Sequence, residues 1–465
     1  MMLRFHRLGP LILSSLLLLV VGEPLLAQEG AQEAISPADT GWLLTATALV
    51  LLMTPGLAFF YGGLVNSKNA LNTMMMAFVA LGVCGVLWAV AGYSIAFGDS
   101  GTGLVGDLSM TFLRGVGVEP DGTVPHMLFM AFQGTFAIIT AALISGAVVG
   151  RMRFSAYMAF IAIWGLVVYA PVAHWVWGGG WLEGLGALDF AGGAVVHVNA
   201  GVAAVVAALV LGTRTDYGRE AILPHNVPFV LLGAGLLWFG WFGFNGGSAL
   251  AADEVAALAL VNTLLAPAAT LVVWAALDRA RVGKVTGVGV ATAIVAGLVG
   301  ITPAAGYVSP ISALALGGLV AIPCHLLLHW RARTRLDDSL DVFAAHGMGG
   351  LVGALLTGVF ASAAVNGEVD GLLFGNPGIL GVQALSIVAV MAYSGLMTFV
   401  VLKAIGWVTP LRSTDEEQGM GMDLAHHGEE AYASGAGALL LLDEELNGTS
   451  SPAGEPSRAS STRAS

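Results

Sequence analysis

The sequence predicts an all-α membrane protein of eleven transmembrane helices, built as two five-helix inverted repeats plus one extra helix. Three observations predict it. Hydrophobic residues make up 57% of the 465 and charged residues 10%, against roughly 25% charged in an ordinary soluble domain. The charged residues past position 35 leave long neutral blocks between them. The basic residues fall on alternate loops. A soluble fold of this balance would lack the polar surface to cover itself. Sixty-four glycines suit transmembrane helices. The composition also excludes a disordered chain, a nucleic-acid binder and a disulfide scaffold. Cys84 and Cys324 lie in apolar runs and read as buried free thiols rather than a metal pair.

At the N-terminus, Arg4, His6 and Arg7 precede the apolar stretch Leu8–Val21 and then Ala27. This is the layout of a signal peptide over 1–27. Pro10 and the shortness of the run argue against a full span.

The neutral blocks are 40–67, 69–98, 122–150, 154–182, 190–213, 221–252, 255–277, 285–330, 342–367 and 371–402. A span needs about 20 apolar residues. Nine blocks fit one helix each, and 285–330 fits two, broken at Pro303–Pro310. The basic-residue bias tests this count. With the N-terminus outside, thirteen Lys and Arg residues fall on inner loops and only Arg114 on an outer loop. One missed helix would scramble that division. The C-terminus then lies inside. Units 40–213 and 221–367 have opposite orientations, an arrangement that puts a transport path at their interface. A faint echo supports the pairing: Asp189 precedes His197 in the fifth span, and Asp341 precedes His346 in the tenth. The domain division is a transporter core over 28–408, a polar segment over 409–432 and a low-complexity, disordered tail over 433–465.

No P-loop, HExxH, CxxC or GxSxG motif is present, so the sequence does not read as an enzyme. It implies no cofactor and no metal site. The informative residues lie within the spans, where ionisable groups are costly and default to functional roles. His197 and His346 sit in mirrored positions and are expected near the midplane. His325 and His329 are expected to snorkel to the interface, and His126 and His174 to be structural. His426 and His427, on the polar segment, read as solvated. FQGTF places Phe132 and Phe136 four residues apart. HWVWGGGW carries Trp175, Trp177 and Trp181, and WFGFNGGS carries Trp241, Phe244 and Ser248. Such aromatics serve as interfacial anchors or as a π cage for a small cation; the residues alone leave both open. Asp189 reads first as a helix cap.

Several stretches together resemble the ammonium transporter (Amt) family, of the Amt/Mep/Rh superfamily. They are YGGLVNSKN at 61–69, AFQGTFAIIT at 131–140, PVAHWVWGGG at 171–180 and GALDFAGGAVVHVNAG at 186–201. Further matches are PHNVPFVLLGAGLLWFGWFGFNGGS at 224–248, GLVGITPAAGYVSP at 297–310, DDSLDVFAAHGMGGLVG at 337–353 and GMDLAHHGEEAY at 421–432. The resemblance implies an outer ammonium-binding site of Phe132, Phe136, Trp177 and Ser248, with Asp189 beside it. It implies a pore gate of Phe136 and Phe244, Trp241 on the pore wall, and His197 and His346 as twin pore histidines. Ammonium would lose its proton, ammonia would cross the apolar pore with the proton co-translocated, and methylammonium is a further implied substrate. Other implied features are a homotrimer in the bilayer of a bacterial inner membrane, nitrogen uptake as its purpose, and a PII signalling protein on the cytoplasmic face. The alternatives are an ammonium sensor that signals through its tail, and an Rh-type gas channel.

Overall fold

The structure, a computed structural model, describes residues 34–219 and 223–432. The expectations for 1–27 and 433–465 lie outside the described residues. The membrane-length helices are α1 (Pro37–Leu64), α2 (Ser67–Phe97), α3 (His126–Val148), α4 (Phe154–Gly184), α5 (Gly193–Leu211), α6 (Val227–Gly247) and α7 (Glu254–Arg281). The shorter apolar α8 (Gly287–Ile301) follows, then α9 (Pro310–Arg331), α10 (Phe343–Phe360) and α11 (Gly378–Val408). Ten of these are long enough to span, and α8, with 15 residues, makes the eleventh apolar helix. The chain is a helical membrane protein. Its outer surface is apolar, with Val272 67% and Leu396 63% exposed, as lipid-facing helices require.

Helices start where the sequence supplies caps. Asn226 accepts from Phe229 N ahead of α6, Asp253 from Ala256 N ahead of α7 and Ser309 from Ser312 N ahead of α9. The 285–330 block breaks into α8 and α9 around Pro303 and Pro310. The connecting turn is buried from Thr302 to Gly306, and Phe190 N donates to Pro303 O at 3.2 Å. Non-helical backbone persists at membrane depth only when protein covers it in this way.

Glycine sets the closest approaches. On α6, a side chain at Gly240 would meet Leu49 O and one at Gly243 would meet Ala46 O, so α6 lies directly on α1. A side chain at Gly201 of α5 would strike Gly347 of α10. That second crossing brings the two central histidines together.

Both central helices begin with a π-helical turn, Gly193–Val198 in α5 and Phe343–Gly347 in α10. Here the structure corrects the echo. Asp189 lies eight residues before His197, and the carboxylate eight before His346 is Asp338, not Asp341. Asp338 is buried and accepts from Phe343 N at 2.7 Å. Asp341 instead pairs with Arg331 at 2.6 Å, from a left-handed backbone with φ 58°. The sequence comparison took the residue opening the neutral block, whereas the turn needs the one that reaches its free amides.

At the end carrying the basic loops, the 409–432 segment lies across the loops. Asp423 accepts from Leu71 N and Asn72 N, Lys68 donates to Gln418 O and Gly419 O, and Arg153 pairs with Glu417 at 3.0 Å. His426 bonds Ser413 and His427 bonds Asn72. Both rings are half-buried and bonded, His426 within the segment and His427 to Asn72 of α2, which corrects the solvated reading. His325 is another correction. It is 1% exposed and paired with Asp278 at 3.1 Å, because a carboxylate on α7 reaches it inside the bundle.

Candidate functional site

A line of spaces runs through the bundle. At the end carrying the acidic loops is a vestibule of about 600 Å³. Phe136, Trp177 and Ser248 line it, as do Phe129 and Gln133. A narrow lumen follows, walled by Leu57, Ile139, Leu143, Trp241, Phe244 and the two central histidines. It offers about 10 Å³ for the centre of a water-sized molecule, roughly room for one at a time. A second vestibule, of about 500 Å³, opens at the basic end and shares Phe60, Val295 and His346 with the lumen.

Phe136 and Phe244 close the passage between the acidic vestibule and the lumen. Their rings stack at 4.2 Å with 24° between planes. Phe136 lines the vestibule side and Phe244 the lumen side. Trp177 stands edge-on to Phe136 at 6.0 Å, and its Nε1 donates to Asp189 O at 2.8 Å. That bond takes up the indole N–H and leaves the ring to line the vestibule. Ser248 Oγ donates to Phe244 O at 2.8 Å, which leaves its lone pairs free to accept. Trp175 departs from the anchor reading: it is 8% exposed and donates to Leu104 O.

Asp189 is placed for structure. Its Oδ1 accepts from Gly192 N and Gly193 N, and its Oδ2 from Ala194 N and Val195 N. All four are orphan donors at the start of the π turn. The carboxylate is thus committed to the turn that carries His197. Phe132 does not line the vestibule; it is fully buried behind Phe136, ring centroids 5.0 Å apart.

His197 and His346 face each other inside the lumen. Their Nδ1 atoms are 3.2 Å apart and the rings stack at 5.2 Å with 28° between planes. Trp241 covers His197 at 5.4 Å and is pinned by its own bond to Thr302 Oγ1 at 2.9 Å. For the Nδ1 atoms to bond, one ring donates and the other accepts. One Nε2 then carries a proton and the other does not. The buried Nε2 of His197 has no protein partner. It is available to whatever occupies the lumen.

The model of the Ammonium Transporter Family matches residues 41–432. The chain belongs to the ammonium transporter family. It is 48% identical over 407 residues to an ammonium transporter of Aquifex aeolicus, covering 86% of this chain and 95% of that one. It is 46% identical to an ammonium transporter of Bacillus subtilis, covering 85% and 98%. The solved structure of Saccharomyces cerevisiae Mep2 matches with a TM-score of 0.79 at 37% identity, covering 83% of this chain and 89% of that one. A structure described as a sensor Amt protein matches with a TM-score of 0.79 at 31% identity, covering 84% and 98%. The activity is therefore ammonium transport across a membrane, in a family of transporters rather than enzymes.

The sequence reading missed two residues. Asp338 was findable from its spacing to His346. Gln133 sits inside FQGTF, four residues after Phe129 and three before Phe136, on the one helical face that reaches the vestibule.

Proposed function

We propose that ammonium enters at the acidic end, gives up its proton beneath the aromatic stack, and crosses the lumen as ammonia. The acidic end faces outward and the basic end faces the cytoplasm, since the basic loops gather there. Ammonium entering an apolar lumen as an ion would lose its hydration with nothing to replace it. The π faces of Phe136 and Trp177 and the hydroxyl of Ser248 offset part of that loss in the vestibule. Ammonia is neutral and passes. Potassium has no proton to shed and is excluded. The released proton travels along the His197–His346 pair by exchange between Nδ1 atoms, and ammonia regains a proton in the basic-end vestibule. The observation that carries this reading is the Nδ1 pair within an otherwise apolar lumen.

The homotrimer, the inner-membrane location and a PII protein on the basic face follow the family resemblance. The docked 409–432 segment supports that face as a regulated surface. The likeness to a sensor Amt protein favours a second reading, in which ammonium occupancy is signalled through this segment. Methylammonium uptake by reconstituted protein, with and without an imposed membrane potential, tests the first reading. Uptake that rises with an inside-negative potential is expected. Binding without uptake would favour the sensor.

A further inference from the structure

Of the polar side chains around the acidic vestibule that the reading above does not use, Gln133, Glu183, Asp253, Tyr307 and Glu368, Gln133 alone stands on the helix that carries Phe136. Phe129, Gln133 and Phe136 form a single stripe along α3, and all three line this space. Gln133 is half-buried and shares the vestibule wall with Phe129 and Phe136. Among the described residues its amide forms no hydrogen bond. The amide is thus open to whatever fills the vestibule, water or a ligand with N–H donors.

Most other acceptors around the vestibule are already engaged: Glu183 accepts from Gly179 N, Asp253 from Ala256 N, and Glu368 has a partner of its own. Both oxygens of Asp189 are taken by four backbone amides. Trp177 Nε1 is taken by Asp189 O, and an indole accepts nothing at nitrogen. Ser248 has lone pairs free but is a single oxygen. An ammonium ion has four N–H donors in a tetrahedron. Ser248 satisfies one, and the π faces of Phe136 and Trp177 attract the charge without accepting a directed bond as strong. A further oxygen acceptor on the vestibule wall is needed if the ion is to shed more of its water.

We propose that Gln133, through Oε1, is the second oxygen acceptor of the ammonium site, opposite in chemistry to the π faces and alike to Ser248. This rests on the reading of the vestibule as the ammonium site. A neutral carbonyl suits the task better than a carboxylate. It adds a directed acceptor for N–H without a full charge that would hold ammonium back and favour any cation. Gln133 is thereby a residue that sets specificity: directed acceptors reward an ion with N–H donors over a spherical one of similar size.

The test is the concentration dependence of ammonium-driven current in proteoliposomes, for the full chain and its variants. Gln133→Met keeps length and removes the acceptor. It is expected to raise the half-saturating concentration roughly three- to tenfold, the range of one hydrogen bond partly replaced by water. The maximal current should stay within about twofold, since binding and not passage is affected. Gln133→Asn, which withdraws the carbonyl by one methylene, should give a smaller rise in the same direction. Gln133→Glu should lower the half-saturating concentration, reduce the maximal current and make potassium a competitor. Trp177→Leu is the control for the site itself. If Trp177→Leu raises half-saturation and neither Gln133→Met nor Gln133→Asn does, the role of Gln133 is overturned and the site stands. If none of the three moves it, the site reading falls as well. A Met variant that fails to fold leaves the Asn and Glu variants to decide, by the presence or absence of their opposite shifts.

Discussion

The two π turns at the centre of the bundle share a plan and differ in how they are held. In each, a carboxylate eight residues before the histidine accepts from amides of the turn, Asp189 for His197 and Asp338 for His346. Asp189 satisfies four amides and has both oxygens paired. Asp338 accepts from Phe343 N, and its Oδ1 has no partner. The surroundings differ in the same sense. The His197 turn lies under Trp177 and the stacked Phe136–Phe244 pair. His346 lines both the lumen and the open basic vestibule, beside the Arg331–Asp341 pair. One end is pinned by four bonds and covered by aromatics; the other is held by fewer bonds and opens to a vestibule. Shared geometry pairs the imidazoles, and under the proposed function the difference corresponds to selection at one end and release at the other.

The strongest way to break this comparison is to remove each carboxylate. Asp189→Ala strips four buried donors of their acceptor, at about 1–3 kcal/mol for each that finds no substitute. It is expected to lower the melting temperature steeply and to leave uptake near background. Asp338→Ala loses one principal acceptor and also relieves a buried, half-satisfied carboxylate. That variant should remain folded and keep a measurable fraction of uptake. Equal melting temperatures for the two would remove the asymmetry.

A milder change sharpens the division of labour. Trp177→Leu removes one π face, worth about 0.5–2 kcal/mol. Half-saturation for ammonium should therefore rise roughly two- to thirtyfold. Arg331→Met, at the basic vestibule, should leave half-saturation unchanged and alter only the maximal rate. A matching shift from both variants would show that selection is not confined to the acidic end.

The smallest expected effect lies farthest from the lumen. Burial holds His426 and His427 below the ordinary 6.5, so each ring favours the neutral form when docked. Docking of the 409–432 segment is then full above pH 6.5 and weakens as the pH falls toward those depressed values. Glu417 and Arg153 face His426; Asp423, Glu429 and Asn72 face His427. Asp423 runs the other way. Burial raises its pKa above 3.8, and its contribution fades as the pH rises through the raised value. Protease cleavage between 409 and 432 should increase on going from about pH 7.5 to about pH 5.5. Replacing both rings, as His426→Gln with His427→Gln, should flatten that trend. An unchanged slope would remove the histidines from the docking equilibrium.

Much of this was legible in the sequence because membrane burial leaves coarse traces. Neutral blocks and alternating basic loops located the helices, including the break at Pro303–Pro310. The histidine pair was legible because an ionisable group in an apolar helix stands out. Other features depend on contacts that no spacing reports. Nothing in FQGTF says that Phe132 turns behind Phe136 while Gln133 lines the vestibule; the close approach of the Phe132 ring to Gly247 of α6 goes with it. The snorkelling expected of His325 failed because Asp278, 47 residues away in sequence, meets it inside the bundle. The docking of His427 likewise depends on residues hundreds of positions distant, Asn72 and Phe154, while His426 is held by Ser413. The pairing of Asp341 with Asp189 failed for a different reason. A carboxylate's place in a neutral block does not show which backbone amides lie within its reach.

The central claim is that the lumen passes ammonia as a neutral molecule while the histidine pair carries the proton. It is tested most directly by recording ammonium and potassium currents from His197→Ala and His346→Ala in planar bilayers, on protein whose melting temperature matches the parent. The parent should carry ammonium current and no potassium current. Each variant should lose the ammonium current or begin to leak potassium, because the proton route is cut or the ion finds new space. Ammonium currents and potassium exclusion unchanged in both variants would contradict the account, and would leave the two rings as helix-packing residues.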